Sequence, residues 1–420
     1  MVNKKINRLL CSILGVVLTV GVMEMPAMAA EKVEDTSVYS EAKNNNYTVN
    51  KDNSVEVNGL KIRINKIIAS KHKLKVTVLV VSNKPFDEKD KNTIVQLTYG
   101  DNNSSSEGIS YGQIDDKTLK IEIERNVEKG ELLQKGDLRV DLVMPSYKVN
   151  VGIDANVDFT EAFENVIEKD LSIKIPELNY TLKKVESSVL GTTIEYSEPE
   201  KDASEIKNDF INFPYSSMLL KVGDKMYQLK SSGGMSSNEE GIMNGGFEAE
   251  AATYDRVKDQ KGMSLIPIVS SMKWTDLRKI YDENERKEYS KTRDANKITT
   301  ANVNYLKVFK FSDGTTGEIY NVERNDNSLK VYCKGSSEKE SLLMASNMFM
   351  HYSKEDDKVG HFGMFGDSSN IILYRDAKES LGYIVEFNNV DKDKAVEVDF
   401  ENMISQVDQF KIGNEVEISK

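Results

Sequence analysis

The sequence predicts an all-β chain built as tandem β-sandwich modules with few short helices. Two observations carry this. Short segments rich in Val, Ile, Thr and Tyr alternate apolar and polar side chains, the period of a strand with one face in a core. Turn signals separate these segments at intervals of about 8–12 residues, the rhythm of sandwiches and not of βαβ units. A third observation is a succession of strand patterns that recurs three times along the chain.

The chain opens with Lys4, Lys5 and Arg8, an apolar run from Leu9 to Met23, and the small-residue segment Pro26-Ala27-Met28-Ala29-Ala30. This is the pattern of a secretory signal peptide over 1–29 with cleavage after Ala29. The run is shorter than the ~20 residues that span a bilayer comfortably, although an uncleaved signal would serve as an anchor. Cys11 follows Leu9-Leu10 at the start of the apolar run, which does not suit a lipoprotein signal. Residues 30–50 lack periodicity, contain Asn44-Asn45-Asn46, and read as a linker.

Module 1 is expected over 51–158. Val57-Asn58-Gly59 makes a turn, after which Leu60, Ile62, Ile64 and Ile67 recur on near-alternate positions, followed by Leu74, Val76, Val78 and Val80. Asp137 to Val143 repeats the device near the module's end. Phe159 to Lys169 predicts one short amphipathic helix at the border, with Phe159, Phe163 and Val166 or Ile167 on one face. Module 2 is expected over 170–271 and module 3 over 300–420, with the charged stretch Ser271 to Lys297 between them. Within module 3, Asp313-Gly314-Thr315-Thr316-Gly317 reads as a hairpin connection.

The recurrence is one of strand pattern, with low identity between the copies. Ile64-Asn65-Lys66-Ile67 and Leu74 to Thr77 open the first copy, Leu182 to Glu186 and Gly191 to Tyr196 the second. Glu318 to Glu323 and Leu329 to Tyr332 open the third. The first two share later landmarks, Val95-Gln96-Leu97 with Leu219 to Val222, and Leu138-Arg139-Val140 with Leu265 to Ile268.

Composition narrows the function classes. The 420 residues carry a formal charge of −12, which leaves no excess of cations for phosphates and argues against nucleic acid. Three histidines, two cysteines and one tryptophan leave little for a metal centre or a Cys/His nucleophile. Loss of residues 1–29 would leave Cys333 alone, so no intramolecular disulfide is expected even in an oxidising compartment.

Motifs with chemical potential are few. Gly108-Ile109-Ser110-Tyr111-Gly112 fits G-x-S-x-G, but a nucleophile elbow needs a helix after the serine and Leu119 to Ile123 predicts a strand, so a β-connection is expected. Ser336 to Lys339 and Ser40 to Lys43 fit S-x-x-K, yet both read as polar and exposed, without the desolvation a serine–lysine pair needs. Cys333, Met344, Met348, Met350, His351, His361 and Met364 offer soft donors that suit copper; methionine at such spacings reads as packing. Asp101-Asn102-Asn103, Glu355-Asp356-Asp357 and Asp391-Lys392-Asp393 offer oxygens for calcium but lack the EF-hand loop. Trp274 reads as core or interdomain packing. No catalytic, cofactor-binding or metal residue is assigned, and no cofactor.

The leader, Val57-Asn58-Gly59-Leu60-Lys61-Ile62, and Leu190-Gly191-Thr192-Thr193-Ile194-Glu195-Tyr196 resemble clostridial and bacillar exported envelope proteins with paired domains of unknown function. These are related to the ectodomains of anti-sigma-factor-like proteins. The resemblance covers most of 50–270 and implies tandem immunoglobulin-like sandwiches. Membrane-bound relatives carry a cytoplasmic segment before their transmembrane helix, whereas only residues 1–8 precede the apolar run here, so a direct anti-sigma role is not expected.

The expectation is an exported, non-enzymatic protein of the Gram-positive cell envelope or the extracellular space. It would bind an envelope ligand or protein partner through loops at 231–246 and at the glycine-aromatic stretch 360–366. Membrane contact would come only through an uncleaved signal anchor. A hydrolase whose site assembles from distant residues, and a structural spacer or accessory subunit, are the alternatives.

Overall fold

Asn58 and Gly59 both take positive φ, 50° and 79°, in the two-residue loop where Val57 pairs with Leu60. This loop chemistry matches the right-handed twist of the strands it joins, and it starts the first sheet of a computed structural model. The structure describes residues 53–86, 92–100, 105–127, 130–199, 214–232, 236–237, 242–273, 306–325, 327–352, 371–388, 395–400 and 407–419. It also describes residues 23–24 and the single positions 47, 303 and 390. The expected signal peptide and linker, apart from 23–24 and Tyr47, lie outside the described residues, as do Trp274 and the stretch 360–366.

The fold is all-β. Among the described residues the chain divides into two compact units, the first reaching residue 166 and including Ser188–Leu190, the second made of the remainder. The first unit contains β1 (Met23–Glu24), β2 (Ser54–Val57), β3 (Leu60–Ala69), β4 (Lys73–Ser82), β5 (Ile94–Thr98), β6 (Ser105–Asp115), β7 (Thr118–Val127), β8 (Lys135–Met144) and β9 (Val149–Asp158). One sheet runs β1-β6-β7-β4-β3-β2 and the other β5-β8-β9. Ile62, Val76, Val78 and Ile121 from the first sheet share one core with Leu97, Leu138, Val140 and Ile153 from the second. The alternation on β4 holds, but Thr77 and Leu79 on its other face are buried as well. Buried Arg125 on β7 crosses to the second sheet, donating to the carbonyls of Tyr99 (3.1 Å) and Leu97 while pairing with Glu107 at 2.8 Å. A buried guanidinium is tolerated because each side of its fork has an acceptor.

The helix expected over 159–169 is a single turn, α1 (Thr160–Glu164). Phe159 and Phe163 stack with centroids 6.2 Å apart, as the amphipathic reading requires. Ile167, however, opens a strand, because residues 167–175 find a pairing partner in the following strand and extended pairing outlasts one helical turn.

The second unit begins with β10 (Ile167–Ile175), β11 (Tyr180–Ser188), β12 (Gly191–Pro199), β13 (Pro214–Val222), β14 (Lys225–Ser231), β15 (Ser236–Ser237), β16 (Ile242–Ala249), the short α2 (Tyr254–Val257) and β17 (Met263–Lys273). It continues with β18 (Lys307–Lys310), β19 (Thr316–Arg324), β20 (Ser328–Gly335), α3 (Glu338–Ser346), β21 (Met348–Tyr352), β22 (Ile371–Arg375) and β23 (Tyr383–Asn388). The last strands are β24 (Val396–Phe400), β25 (Phe410–Ile412) and β26 (Val416–Ser419). Its main sheet follows the path β10-β11-β12-β16-β14-β22-β23-β20-β19-β18.

The stretches 170–271 and 300–420, expected as separate modules, therefore lie in one compact unit. Strand β14 pairs with β22, Lys225 opposite Tyr374 and Met226 opposite Leu373. One core gathers Leu219, Met226, Ile266 and Ile268 with Val331, Cys333 and Phe387; another gathers Leu182 and Leu265 with Ile372 and Ile418. Sheet pairing and two shared cores remove the independence that periodicity alone suggested.

The threefold recurrence is nevertheless real in the topology. Each copy opens with an antiparallel hairpin, β3–β4, β11–β12 and β19–β20. The main-sheet orders correspond strand for strand: β6-β7-β4-β3-β2, then β14-β16-β12-β11-β10, then β22-β23-β20-β19-β18. The shared landmarks pair alike, Leu97 with Val140 and Leu219 with Ile266, and β21 with β24 completes the series. Even a β-bulge recurs, between Ile64 and Lys66 in the first copy and between Ile319 and Asn321 in the third.

Candidate functional site

The third copy carries a belt of tyrosines on the face of its main sheet opposite the core of Leu329, Val331 and Cys333. It begins at the bulge, where Tyr320 is the extra residue between Ile319 and Asn321. A bulge re-aims side chains, and here Tyr320 meets Tyr332 of β20 edge-on, centroids 6.0 Å apart. Tyr332 lies opposite Ile384 of β23, and Ile384 opposite Tyr374 of β22. Leu329, Val331 and Cys333 alternate with Tyr332 and fill the core beneath, so strand period turns Tyr332 away from that core, whereas Tyr374, on the side of Ile372, packs against the unit's other core. All three are half-buried.

Carboxylates flank the rings. The Tyr320 hydroxyl donates to Asp376 at 2.6 Å and the Tyr374 hydroxyl to Glu386 at 3.0 Å. Lys334 pairs with Glu379 at 2.9 Å and Glu318 at 3.2 Å, its ammonium 5.5 Å from the Tyr320 ring centre. Burial and the neighbouring Glu323 carboxylate push the Tyr332 phenol up to about 12. Burial, and then Asp376 and Glu386 respectively, also raise Tyr320 and Tyr374. The phenols thus stay neutral donors, and the hydrogen bond from Tyr320 holds the Asp376 carboxyl below its usual range. The rings are bordered by carboxylates that accept from Tyr320 and Tyr374 and by an ammonium over the Tyr320 ring.

The structure places the other sequence candidates elsewhere. Ser110 lies within β6 opposite Glu122, with strand on both sides, and a Cβ at Gly108 or Gly112 would meet open space; the elbow context is absent. Ser336 bonds the Thr316 backbone at 2.8 Å. Ser337 is the N-cap of α3, its hydroxyl accepting from the Glu340 amide at 3.3 Å. That helix was not expected. Its signal was present as Ser337-x-x-Glu340 ahead of Leu342, Leu343, Met344 and Ala345, a capping box before an apolar run. Cys333, Met344, Met348 and Met350 are core residues, and burial pushes the Cys333 thiol up. His361, Met364, Ser40 to Lys43 and the three acidic clusters with oxygens for calcium fall outside the described residues, and so do the side chain of His351 and residues 233–235 and 238–241 of the loop at 231–246. Its C-terminal end is strand β16, where Gly245 sits so close under Tyr196 that a Cβ would lie 2.6 Å from the ring. That glycine makes room for the stack of Tyr180, Tyr196 and Phe247, with centroids 4.2 and 4.8 Å apart along the stack.

The belt itself escaped sequence reading because Tyr320, Tyr332 and Tyr374 are spread over three strands, and Tyr320 is the extra residue of a bulge. No family model matches the chain, and no curated protein matches it. Among solved structures it is similar to one titled the crystal structure of the conserved domain protein from Bacillus anthracis. That likeness has 15% identity and a TM-score of 0.40, covering 56% of this chain and 82% of the other.

Proposed function

We propose that this is an exported, non-enzymatic cell-envelope protein whose immunoglobulin-like modules present the tyrosine belt to a wall glycan. The leader pattern Lys4 to Ala30 supports export. The strand orders β6-β7-β4-β3 and β5-β8-β9 support immunoglobulin-like modules, since constant-type sandwiches place their strands as D-E-B-A and C-F-G. The observation that carries the binding reading is the half-exposed belt of Tyr320, Tyr332 and Tyr374. Sugar C–H faces stack on aromatic rings, and sugar hydroxyls suit bordering carboxylates and an ammonium. The five flanking carboxylates, Glu318, Glu323, Asp376, Glu379 and Glu386, outnumber the ammoniums of Lys330 and Lys334, which favours a neutral polyhydroxylated ligand over an anionic one.

Titration calorimetry of the mature protein with solubilised wall glycan tests this. Saturable heat, reduced at least tenfold in affinity by Tyr332→Ala, is expected. Absence of heat, or binding indifferent to Tyr332→Ala and Tyr374→Ala, would refute the belt as the binding surface.

A further inference from the structure

In the first copy the small sheet is β5-β8-β9, and β9 follows β8 directly through the 3-10 turn Pro145–Tyr147. In the second copy the corresponding strands are β13 and β17, and the place beside β17 is taken by β25 and β26 from the end of the chain. By order along the sequence those strands follow β24 of the third copy. They sit instead on the second.

The fit is detailed. Ile268, Val269 and Ser270 pair with Ile412, Lys411 and Phe410, and Ser264 and Leu265 with Glu417 and Val416. The ladder breaks between the two strands opposite Pro267, whose carbonyl accepts from the Gly413 amide at 2.7 Å. A proline has no N–H to return, so the C-terminal chain bulges there. A Cβ on Gly413 would lie 2.6 Å from the Pro267 ring. Polar groups fix the register: Glu415 accepts from Ser264 at 2.5 Å and from Lys221 at 3.0 Å, and Lys169 donates to the Ile418 carbonyl at 2.9 Å. Val407 and Phe410 enter one core of the unit and Ile418 the other.

We infer that the edge of β17 is a strand-binding site, and that residues 407–419 are its donated ligand, an extended peptide supplied by the third copy to the second. Main-chain pairing gives such a site its affinity, and side-chain pockets give it specificity. Phe410, Ile418 and the glycine at 413 are the specifying positions. This rests on topology and does not depend on what the tyrosine belt binds.

The test uses the full chain with residues 401–406 replaced by a protease recognition sequence. After cleavage, the released C-terminal fragment is expected to remain bound through gel filtration. It should exchange for a fluorescent synthetic peptide of residues 407–419 in saturable, one-to-one fashion. Peptides carrying Phe410→Asp with Ile418→Asp, or Gly413→Val, should compete at least tenfold more weakly. The inference is overturned if the fragment leaves while the second unit keeps its melting transition, if the altered peptides compete equally, or if cleavage unfolds the unit and excess peptide does not restore it.

Discussion

The two units close the same small sheet by different means. In the first, β9 returns from β8 through a four-residue connection, Pro145 to Lys148, and pairs with it over ten unbroken positions, Lys135 opposite Asp158 to Met144 opposite Val149. In the second, the equivalent edge is closed by a segment that follows β17 by well over a hundred residues; the Met263 amide bonds the Ser419 hydroxyl across a separation of 156. The same strand position is thus filled once by a neighbour in sequence and once by complementarity alone. A second contrast lies at the shared bulge. The first copy places Asn65 there, beside a face of paired charges such as Lys73 with Glu124 at 2.9 Å, and the third places Tyr320 and builds an aromatic belt. One backbone device carries different chemistry according to the residue it re-aims.

Removing residues 407–419 should have the largest effect. Val407, Phe410 and Ile418 are almost wholly buried, each worth roughly 1.5–3 kcal/mol. Calorimetry should therefore show the second unit's transition lost while the first unit's persists; loss of both would break the comparison. Next, Leu265→Ala and Leu138→Ala remove fully buried side chains from β17 and β8, and each should cost about 2–5 kcal/mol. Each should lower only its own unit's transition. Refolding after denaturant jump should be slower for the second unit, since long-range pairing must close a larger loop before it is rewarded.

Gly413→Val should cost about 1–3 kcal/mol through the clash with Pro267, read as a lower denaturation midpoint of the second unit alone. The smallest effect concerns acid. Glu415 is held below its usual range first by the Ser264 hydroxyl and then by Lys221, and Asp158 is lowered to about 2 by Lys135 and Thr160. Both carboxyls have depressed folded values, so their contributions are present above the unfolded value and disappear as pH falls through the folded one. For Asp158 that window runs from 3.8 down to about 2. Carboxyl titration by NMR should find Asp158 near 2. Ser264→Ala should move Glu415 upward and leave Asp158 unmoved; an unshifted Glu415 would remove the polar lock from β26.

Local chemistry was legible in the residues themselves. Asn58-Gly59 specified a two-residue turn, Leu74 to Val80 specified a strand, and Asp313 to Gly317 a hairpin connection in which Asp313 accepts from the Thr315 amide at 3.0 Å. These follow from backbone preferences and a period of two, both properties of neighbouring residues. The recurrence of strand patterns was equally readable, and each copy became the expected hairpin. The buried helix α3 was signalled by its capping box, but Glu340 to Ser346 are buried all round and show no amphipathic stripe.

What the tertiary structure decided was partnership between distant segments. Nothing near Phe410-Lys411-Ile412 says that it lies beside Ile268, and nothing near Met226 says that Leu373 is its neighbour. An alternating strand advertises an apolar face and an edge, but not which edge will receive it. That choice is made by shape and hydrogen-bond complementarity summed over residues far apart in the chain: a glycine against a proline ring, a carboxylate against a serine and a lysine. It is also why Tyr320, Tyr332 and Tyr374, unremarkable singly on their strands, become one surface only when the sheet is assembled.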